Sequence, residues 1–486
     1  MNEQSITAQQ SLSKSNSDNQ VNIEQQKDFK EYSYRWSIVI MFCLVNMMNS
    51  IQSITFSPIS SQVEQAYNTS KFIVSMTSLV TMLCYIIFNF PSNYILSHKG
   101  LKIGIFVGIF FTILGSWIRL FINNNFGWAI LGQVFAGIAQ PFILNAPTQI
   151  AAVWFKPYQR QLATSILCLV SVIGVGIGFL FSSFIVNPSY TDDTKQEIYN
   201  LMLFQAITIT ACCIPSLFFF KEKPPTPPSL SASFQKTEFW ISLSTLFRNK
   251  HFLFTCIYFG CILGNFNSVS ALINFYLKNF NFSTNETSYL GGAFILSGII
   301  GSAIITRMVE KNNKYKKYII ISSILSLFSY TFVSAVLIIE SFIVQLLGFF
   351  LYGFFSTPLI PLTLEFGCEI TFPISESTSS GLIYMSGQLF GILQIILSAE
   401  AIQIESQKNV LICLSLGFFL QLFGLVFIVQ VEENLKRKNQ EQLQLQKQTE
   451  QIQELSEVIE SQLKNQSFMS FLKQKNPFII HSNSKS

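Results

Sequence analysis

Residues 221–250 read KEKPPTPPSLSASFQKTEFWISLSTLFRNK. The first part cannot be a helix interior, because each proline lacks a backbone donor and clashes with the preceding turn. The second part turns amphipathic around Phe239, Trp240 and Leu246. Such a segment is a linker, and apolar runs flank it on both sides. Before it they cover 36–58, 72–96, 101–121, 128–152, 162–186 and 201–220. After it they cover 252–277, 289–308, 318–339, 342–366, 379–399 and 410–429. Each run is about 20 residues, the length that crosses a bilayer core at about 1.5 Å per helical residue. The reading is therefore an all-α membrane protein with twelve transmembrane helices, six on each side of the linker.

Composition agrees. Half of the 486 residues are hydrophobic, only 12% are charged, and Phe alone contributes 49. A water-soluble core could not hide that much apolar surface, so lipid is the natural solvent. The net charge of +5 resides in short loops, with no basic patch interleaved with aromatics, so nucleic acid is not expected as a partner. The nine cysteines lie in or beside apolar runs and none forms a C-x-x-C pair, so they read as buried small residues rather than metal ligands. No catalytic triad, metal cluster or phosphate loop is present, so neither an enzyme nor a cofactor is expected.

Charge asymmetry sets the expected orientation. With the N-terminus in the cytosol, inside segments carry fourteen Lys or Arg, including Lys99, Lys102, Arg160 and Lys317, against Lys71, Lys195, Lys278 and Lys408 outside. The sequons at Asn68, Asn281 and Asn285 then all face outward. Both termini are expected in the cytosol, and the housing membrane is either the plasma membrane or an endomembrane. The expected segments are a polar N-terminal tail (1–34) without a signal peptide, a six-helix half (35–220), the linker (221–250), a second half (251–430) and a polar tail (431–486). In that last tail Leu445, Ile452, Leu455 and Ile459 roughly follow a heptad seam, which allows a weak homodimer through a C-terminal helix.

The two halves echo each other. After the fourth run the chain reads Phe155-Lys-Pro157-Tyr-Gln-Arg160, then Thr164-Ser165; after the tenth it reads Phe372-Pro373-Ile-Ser-Glu376, then Ser379-Ser380. The next run in each half carries small residues at a spacing that permits close helix approach, Gly174 with Gly178 and Gly387 with Gly391. Two six-helix halves repeated in this way are the pattern of the major facilitator superfamily.

Several motifs narrow this further: Gly132-Gln133, Ala139-Gln140-Pro-Phe-Ile-Leu144, Ile150-Ala-Ala-Val-Trp154-Phe155 and Asn267-Ser-Val-Ser-Ala-Leu-Ile-Asn274. With them come Leu364-Glu365-Phe366, Glu369-Ile-Thr-Phe-Pro373 and Gln388-Leu-Phe-Gly391. On these residues the chain resembles the feline leukaemia virus subgroup C receptor-related family of solute carriers, over roughly residues 35–430. The resemblance implies rocker-type alternating access and substrates such as choline, ethanolamine, haem or, in one branch, vitamin B6. It carries over the amides Gln140 and Gln388. It also exposes departures. Where choline carriers of the family have a Trp in the first helix this chain has Ser53, and where they have a Tyr in the seventh it has Asn267. Losing both rings argues against a cage that holds a quaternary ammonium by cation–π attraction. The loop between the second and third helices has Ser97 at the superfamily's acidic position, which weakens a charge lock there.

Polar side chains inside a span are costly and tend to face the interior. The substrate-binding candidates are Gln140 and Gln388, then Asn49, Gln52 and Asn267, with Asn145 and Asn265 also at mid-helix. Each could instead form an interhelical hydrogen bond. Tyr85, Phe142, Tyr258 and Tyr384 could wall the path. No Asp, Glu or His lies mid-span, which favours facilitated diffusion over proton symport. Arg119 reads as a side chain that snorkels to the interface. Arg160 and Glu365, Glu369 and Glu376 occupy pseudo-equivalent cytosolic positions in the two halves and suggest a gate, unless they are solvated loop charges. The expected function is a transporter of a small polar or amine-type solute, choline- or ethanolamine-like. The alternatives are haem or another amphipathic metabolite, and a receptor or sensor that does not turn over.

Overall fold

The structure is a computed structural model. It describes residues 32–187, 193–229, 237–312, 314–402 and 406–443, with 446, 449, 450, 453, 454, 456 and 457. In the first half, α1 (Arg35–Ile54) is followed by a short α2 (Ser60–Tyr67), then α3 (Lys71–His98) and α4 (Leu101–Ile118). Next come α5 (Gly127–Leu144) with α6 (Ala146–Trp154), then α7 (Arg160–Ile185) and α8 (Thr194–Phe219). The linker contributes α9 (Phe239–Arg248). The second half has α10 (Lys250–Lys278), α11 (Thr284–Asn312), α12 (Tyr315–Val336), α13 (Phe342–Ser356) with α14 (Leu359–Thr371), α15 (Glu376–Ile402) and α16 (Gln407–Gln430). Twelve stretches among the described residues are long and apolar enough to cross a membrane, the α5–α6 and α13–α14 pairs each counting as one.

The fourth and tenth spans break at equivalent points. Asn145 separates α5 from α6, and Thr357-Pro358 separates α13 from α14. Pro147 and Pro358 sit at or just before the new helix starts, where a missing backbone donor costs nothing. Packing repeats as well. In the first half α1 lies on α7 and α3 on α5; in the second α10 lies on α15 and α11 on α13. The halves meet where α3 packs on α15 and α7 on α11. Exchanging the halves maps one of these contacts onto the other, as a two-fold axis along the membrane normal requires.

Small residues allow the closest approach. A Cβ at Gly174 would lie 2.7 Å from the Met47 carbonyl oxygen, and one at Gly178 would lie 2.5 Å from Ile54 Cγ2, so α7 can abut α1 only with glycine there. The outward faces are apolar and exposed, as at Phe184, Phe218, Phe328 and Ile343. In water such a surface would drive aggregation; in a bilayer it is solvated by lipid tails.

The linker is strapped to the first half at the face where α1 begins, here called the tail face. The Glu222 carboxylate accepts the backbone N–H of Leu101 at 2.8 Å and of Lys102 at 2.6 Å. Tyr32 Oη and Thr226 Oγ1 are 3.1 Å apart, and the Lys221 ammonium lies 4.3 Å from the Tyr34 ring centre. Further on, α9 buries Phe239, Ser242 and Leu246. A separate unit starts at Lys436, with residues 436–443 helical. The seam residues Leu445, Ile452, Leu455 and Ile459 lie outside the described residues, as do residues 1–31 of the N-terminal tail.

One expectation is overturned. Arg119 does not snorkel; it is fully buried at the far end of the third span. Its Nη1 donates to the Gln52 carbonyl at 3.1 Å and its Nη2 to Gln205 Oε1 at 3.2 Å. Room for the stem comes from Gly132, whose missing Cβ would collide with Arg119 Cγ. The backbone of α1 provides an acceptor inside the bundle, so the guanidinium pairs there instead of reaching for water.

Candidate functional site

Between the halves lies a cavity of about 120 Å³. Ser50 and Ser53 of α1, Ser78 and Thr81 of α3, Gln140 of α5 and Ser171 of α7 line it from the first half. Phe266, Asn267 and Ser270 of α10, with Tyr384 and Gln388 of α15, line it from the second. Among the described residues that line it, none carries a charged side chain.

Three of the five binding candidates come together here. Gln140 Nε2 donates to Ser53 Oγ at 2.9 Å, and Asn267 Nδ2 donates to Gln388 Oε1 at 3.4 Å. Ser53 and Asn267 thus each pair with one of the two glutamine amides. Asn49 and Gln52 lie outside the lining. Asn49 Nδ2 donates to Thr112 Oγ1 at 3.2 Å and to the Ala136 carbonyl at 3.3 Å, tying α1 to α4 and α5. The Gln52 amide satisfies both of its neighbours in one of its two orientations, with the nitrogen donating to the Thr112 carbonyl and the oxygen accepting from the Ser116 N–H, each at 3.1 Å. Both side chains are buried and turned toward α4 and α5, where Thr112, Ser116 and the Ala136 carbonyl take up their amides.

The hydroxyls of the lining are a feature that sequence reading misses, since Ser and Thr blend into an apolar run. Ser50 donates to the Asn46 carbonyl (2.9 Å), Ser53 to that of Asn49 (2.8 Å), Thr81 to that of Ser78 (2.7 Å) and Ser171 to that of Cys168 (2.7 Å). Each hydroxyl proton is used within its own helix, so the oxygen keeps lone pairs for another donor. Of the aromatic candidates Tyr384 lines the cavity. Tyr85 donates to Asn145 Oδ1 beside it, while Phe142 and Tyr258 are buried elsewhere.

Both flanks of the cavity are bridged between halves. On the tail face Thr164 Oγ1 donates to Glu365 at 2.9 Å, the Leu162 N–H to Glu310 at 3.0 Å, and Thr148 Oγ1 to the Glu376 carbonyl at 3.3 Å. Asn145 Nδ2 donates to Asn89 Oδ1 at 2.9 Å and Asn93 Oδ1 at 3.0 Å, and Gly381 of α15 packs so closely on this cluster that a Cβ would lie 2.8 Å from Asn145 Nδ2. Arg160, Glu365, Glu369 and Glu376 are all buried rather than solvated; Arg160 Nη2 donates to Ser229 Oγ of the linker. On the far face Ser57 Oγ is within 3.1 Å of the Ser270 and Ala271 carbonyls, and Asn274 Nδ2 donates to the Pro58 carbonyl at 3.2 Å. Glu310 and Thr164 belong to this arrangement, and no periodicity could have paired Glu310 with Leu162 or Thr164 with Glu365 across the sequence.

Comparison with known proteins matches this architecture. Residues 42–395 match the Major Facilitator Superfamily profile. The chain is 31% identical over 417 residues to the choline/ethanolamine transporter FLVCR1 of Felis catus, covering 83% of this chain and 74% of that one. It is 29% identical to the choline/ethanolamine transporter FLVCR2 of Homo sapiens, covering 80% and 77% respectively. Among solved structures the fucose:proton symporter FucP of E. coli superposes with a TM-score of 0.60 at 14% identity, covering 82% of this chain and 99% of that one, a likeness of fold alone. The chain is an integral multipass membrane protein of the Major Facilitator Superfamily, in the branch that holds the choline/ethanolamine transporters it resembles.

Proposed function

We propose that this protein carries a small polar or amine-type organic solute across the membrane by alternating access, with the cavity between the halves as its binding site. The supporting observation is the neutral lining in which Gln140, Asn267 and Gln388 meet a ring of Ser and Thr oxygens. Amides and hydroxyls can hold a small donor-bearing solute without fixing it so tightly that release is slow. The names of the relatives point to the same class of solute. A cavity of about 120 Å³ favours this class over a haem macrocycle; drug-sized ligands fill pockets of about 300–1,000 Å³.

The energy source follows from the same lining. With no carboxylate or imidazole among the lining side chains, nothing there takes up a proton with the solute. Facilitated diffusion is the mode this supports. The tail-face cluster of Arg160, Glu365, Glu369 and Glu376 would act as the gate on that side, opening when the halves rock apart. Positive-inside charge supports a cytosolic tail face. The decisive experiment is counterflow in proteoliposomes preloaded with ethanolamine or choline. Saturable exchange that Gln140→Ala and Gln388→Ala weaken supports the reading. A folded sample that binds but never exchanges would make it a receptor instead.

A further inference from the structure

We infer that the cavity selects solutes whose charged nitrogen still bears N–H donors, and disfavours quaternary ammonium. This rests on the reading of the cavity as the substrate site. Ser50, Ser53, Thr81 and Ser171 have each committed their proton to a carbonyl of their own helix. Gln140 directs one of its two N–H groups to Ser53, filling one lone pair of that hydroxyl, and its Oε1 is left as an acceptor. The lining therefore offers many lone pairs to an incoming solute. A primary ammonium brings three N–H donors and can satisfy several of them at once. A trimethylated nitrogen brings none, so its entry strips water from these oxygens without replacing the hydrogen bonds.

The compensating interaction for a quaternary ion is weak here. Such an ion is held by aromatic faces arranged around it. Among the described residues, only Phe266 and Tyr384 bring rings to the lining, and both are already packed on others. Phe266 lies 5.7 Å from Phe294, and Tyr384 lies 5.4 Å from Phe259 and 6.4 Å from Tyr85. Two rings held in place by their own neighbours do not form a cage.

A graded series tests this directly: ethanolamine and its N-methyl, N,N-dimethyl and N,N,N-trimethyl derivatives in counterflow with the purified full-length protein. The hydroxyl and the positive charge stay constant while one N–H is lost at each step. The half-saturating concentration is expected to rise along the series, by about 10-fold or more from the first member to the last. Thr81→Val keeps the side-chain shape but removes one acceptor, and is expected to shrink that ratio severalfold; a merely structural role for Thr81 would leave the ratio unchanged. A flat or inverted series, with transport intact, overturns the selectivity while leaving the carrier reading in place. No exchange of any member by folded protein overturns both.

Discussion

The Glu222 carboxylate sits astride the first turn of α4, taking the backbone N–H groups of Leu101 and Lys102 at 2.8 and 2.6 Å. These donors have no partner inside their own helix, and the helix dipole favours an anion at that end. Gly100 makes the approach feasible: its φ is +100°, and a Cβ there would lie 2.5 Å from Glu222 Oε1. The linker thus provides the carboxylate that the loop lacks at Ser97. Glu222→Gln is expected to cost about 1 kcal/mol, the usual worth of a helix cap. Gly100→Ala adds backbone strain and should cost more. Thermal unfolding of the purified protein measures both, and Ser97→Asp should recover part of the Glu222→Gln loss if charge at this helix start is what matters.

Arg119 holds α4 to α1 and α8 through the Gln52 carbonyl and Gln205 Oε1, and Thr55 Oγ1 shares the latter at 3.0 Å. Its Nε has no partner among the described residues. Arg119→Ala would remove one donor each from the Gln52 carbonyl and Gln205 Oε1, which keep Gln133 Nε2 and Thr55 Oγ1, and would open a void beside Gly132, a loss of about 3 kcal/mol carried mostly by the void. Arg119→Lys should recover little, because a point ammonium cannot span both acceptors as a guanidinium does. Yield of monodisperse protein and its melting temperature report the effect, and folded variants should keep the wild-type KM.

Gln140 and Asn49 should separate cleanly. Gln140 lines the cavity and Asn49 ties three helices together. Gln140→Ala is expected to raise the KM for counterflow about 5- to 10-fold, the worth of roughly one hydrogen bond, with the melting temperature little changed. Asn49→Ala should lower stability by about 1–2 kcal/mol and leave KM near wild type. The reverse result would move the site from the cavity to the α1–α4 seam.

The bridge from Thr164 to Glu365 crosses between halves on the tail face. Thr164→Val removes it while keeping the side-chain shape. The tail-open population should rise about 5-fold, the equivalent of about 1 kcal/mol. A cysteine introduced at Ser53, labelled by a membrane-impermeant maleimide from the tail side, reads that population. Unchanged labelling would remove this pair from the gate.

Proton coupling is testable without substitution. Because no lining side chain is acidic, basic or imidazole, a pH gradient should not drive accumulation, and exchange at fixed solute charge should be flat from about pH 6 to 8. Outside the spans, burial pushes the Tyr67 phenol up to about 12. A raised folded pKa gives stability that is fully present below the ordinary value of 10 and is lost as pH rises toward 12. Stability of the far face should therefore weaken only in that alkaline window, which a melting curve at several pH values would show.

Amino-acid order alone determined a good deal. Twenty-residue apolar runs on both sides of a proline-rich linker dictate twelve helical spans, because a helix satisfies its own backbone polar groups in lipid and the runs have its crossing length, about twice that of a membrane strand. The paired glycines at 174 and 178 and at 387 and 391 marked the close helix contacts, since small residues at that spacing have few other uses inside a span. Gln140, Asn267 and Gln388 stood out because amides are costly there. What tertiary structure decided is which way each polar group turns. Asn49 and Gln52 were as conspicuous as Gln140, yet they face α4. Arg119 reads as an interface residue and is buried, because the Gln52 carbonyl lies within its reach. Glu222 and Leu101 are far apart in sequence, as are Thr164 and Glu365, and hydrogen bonds over such separations carry no periodic signal. A chain's pattern fixes which solvent each segment enters, while the partner of each buried donor is fixed only when the helices are in place.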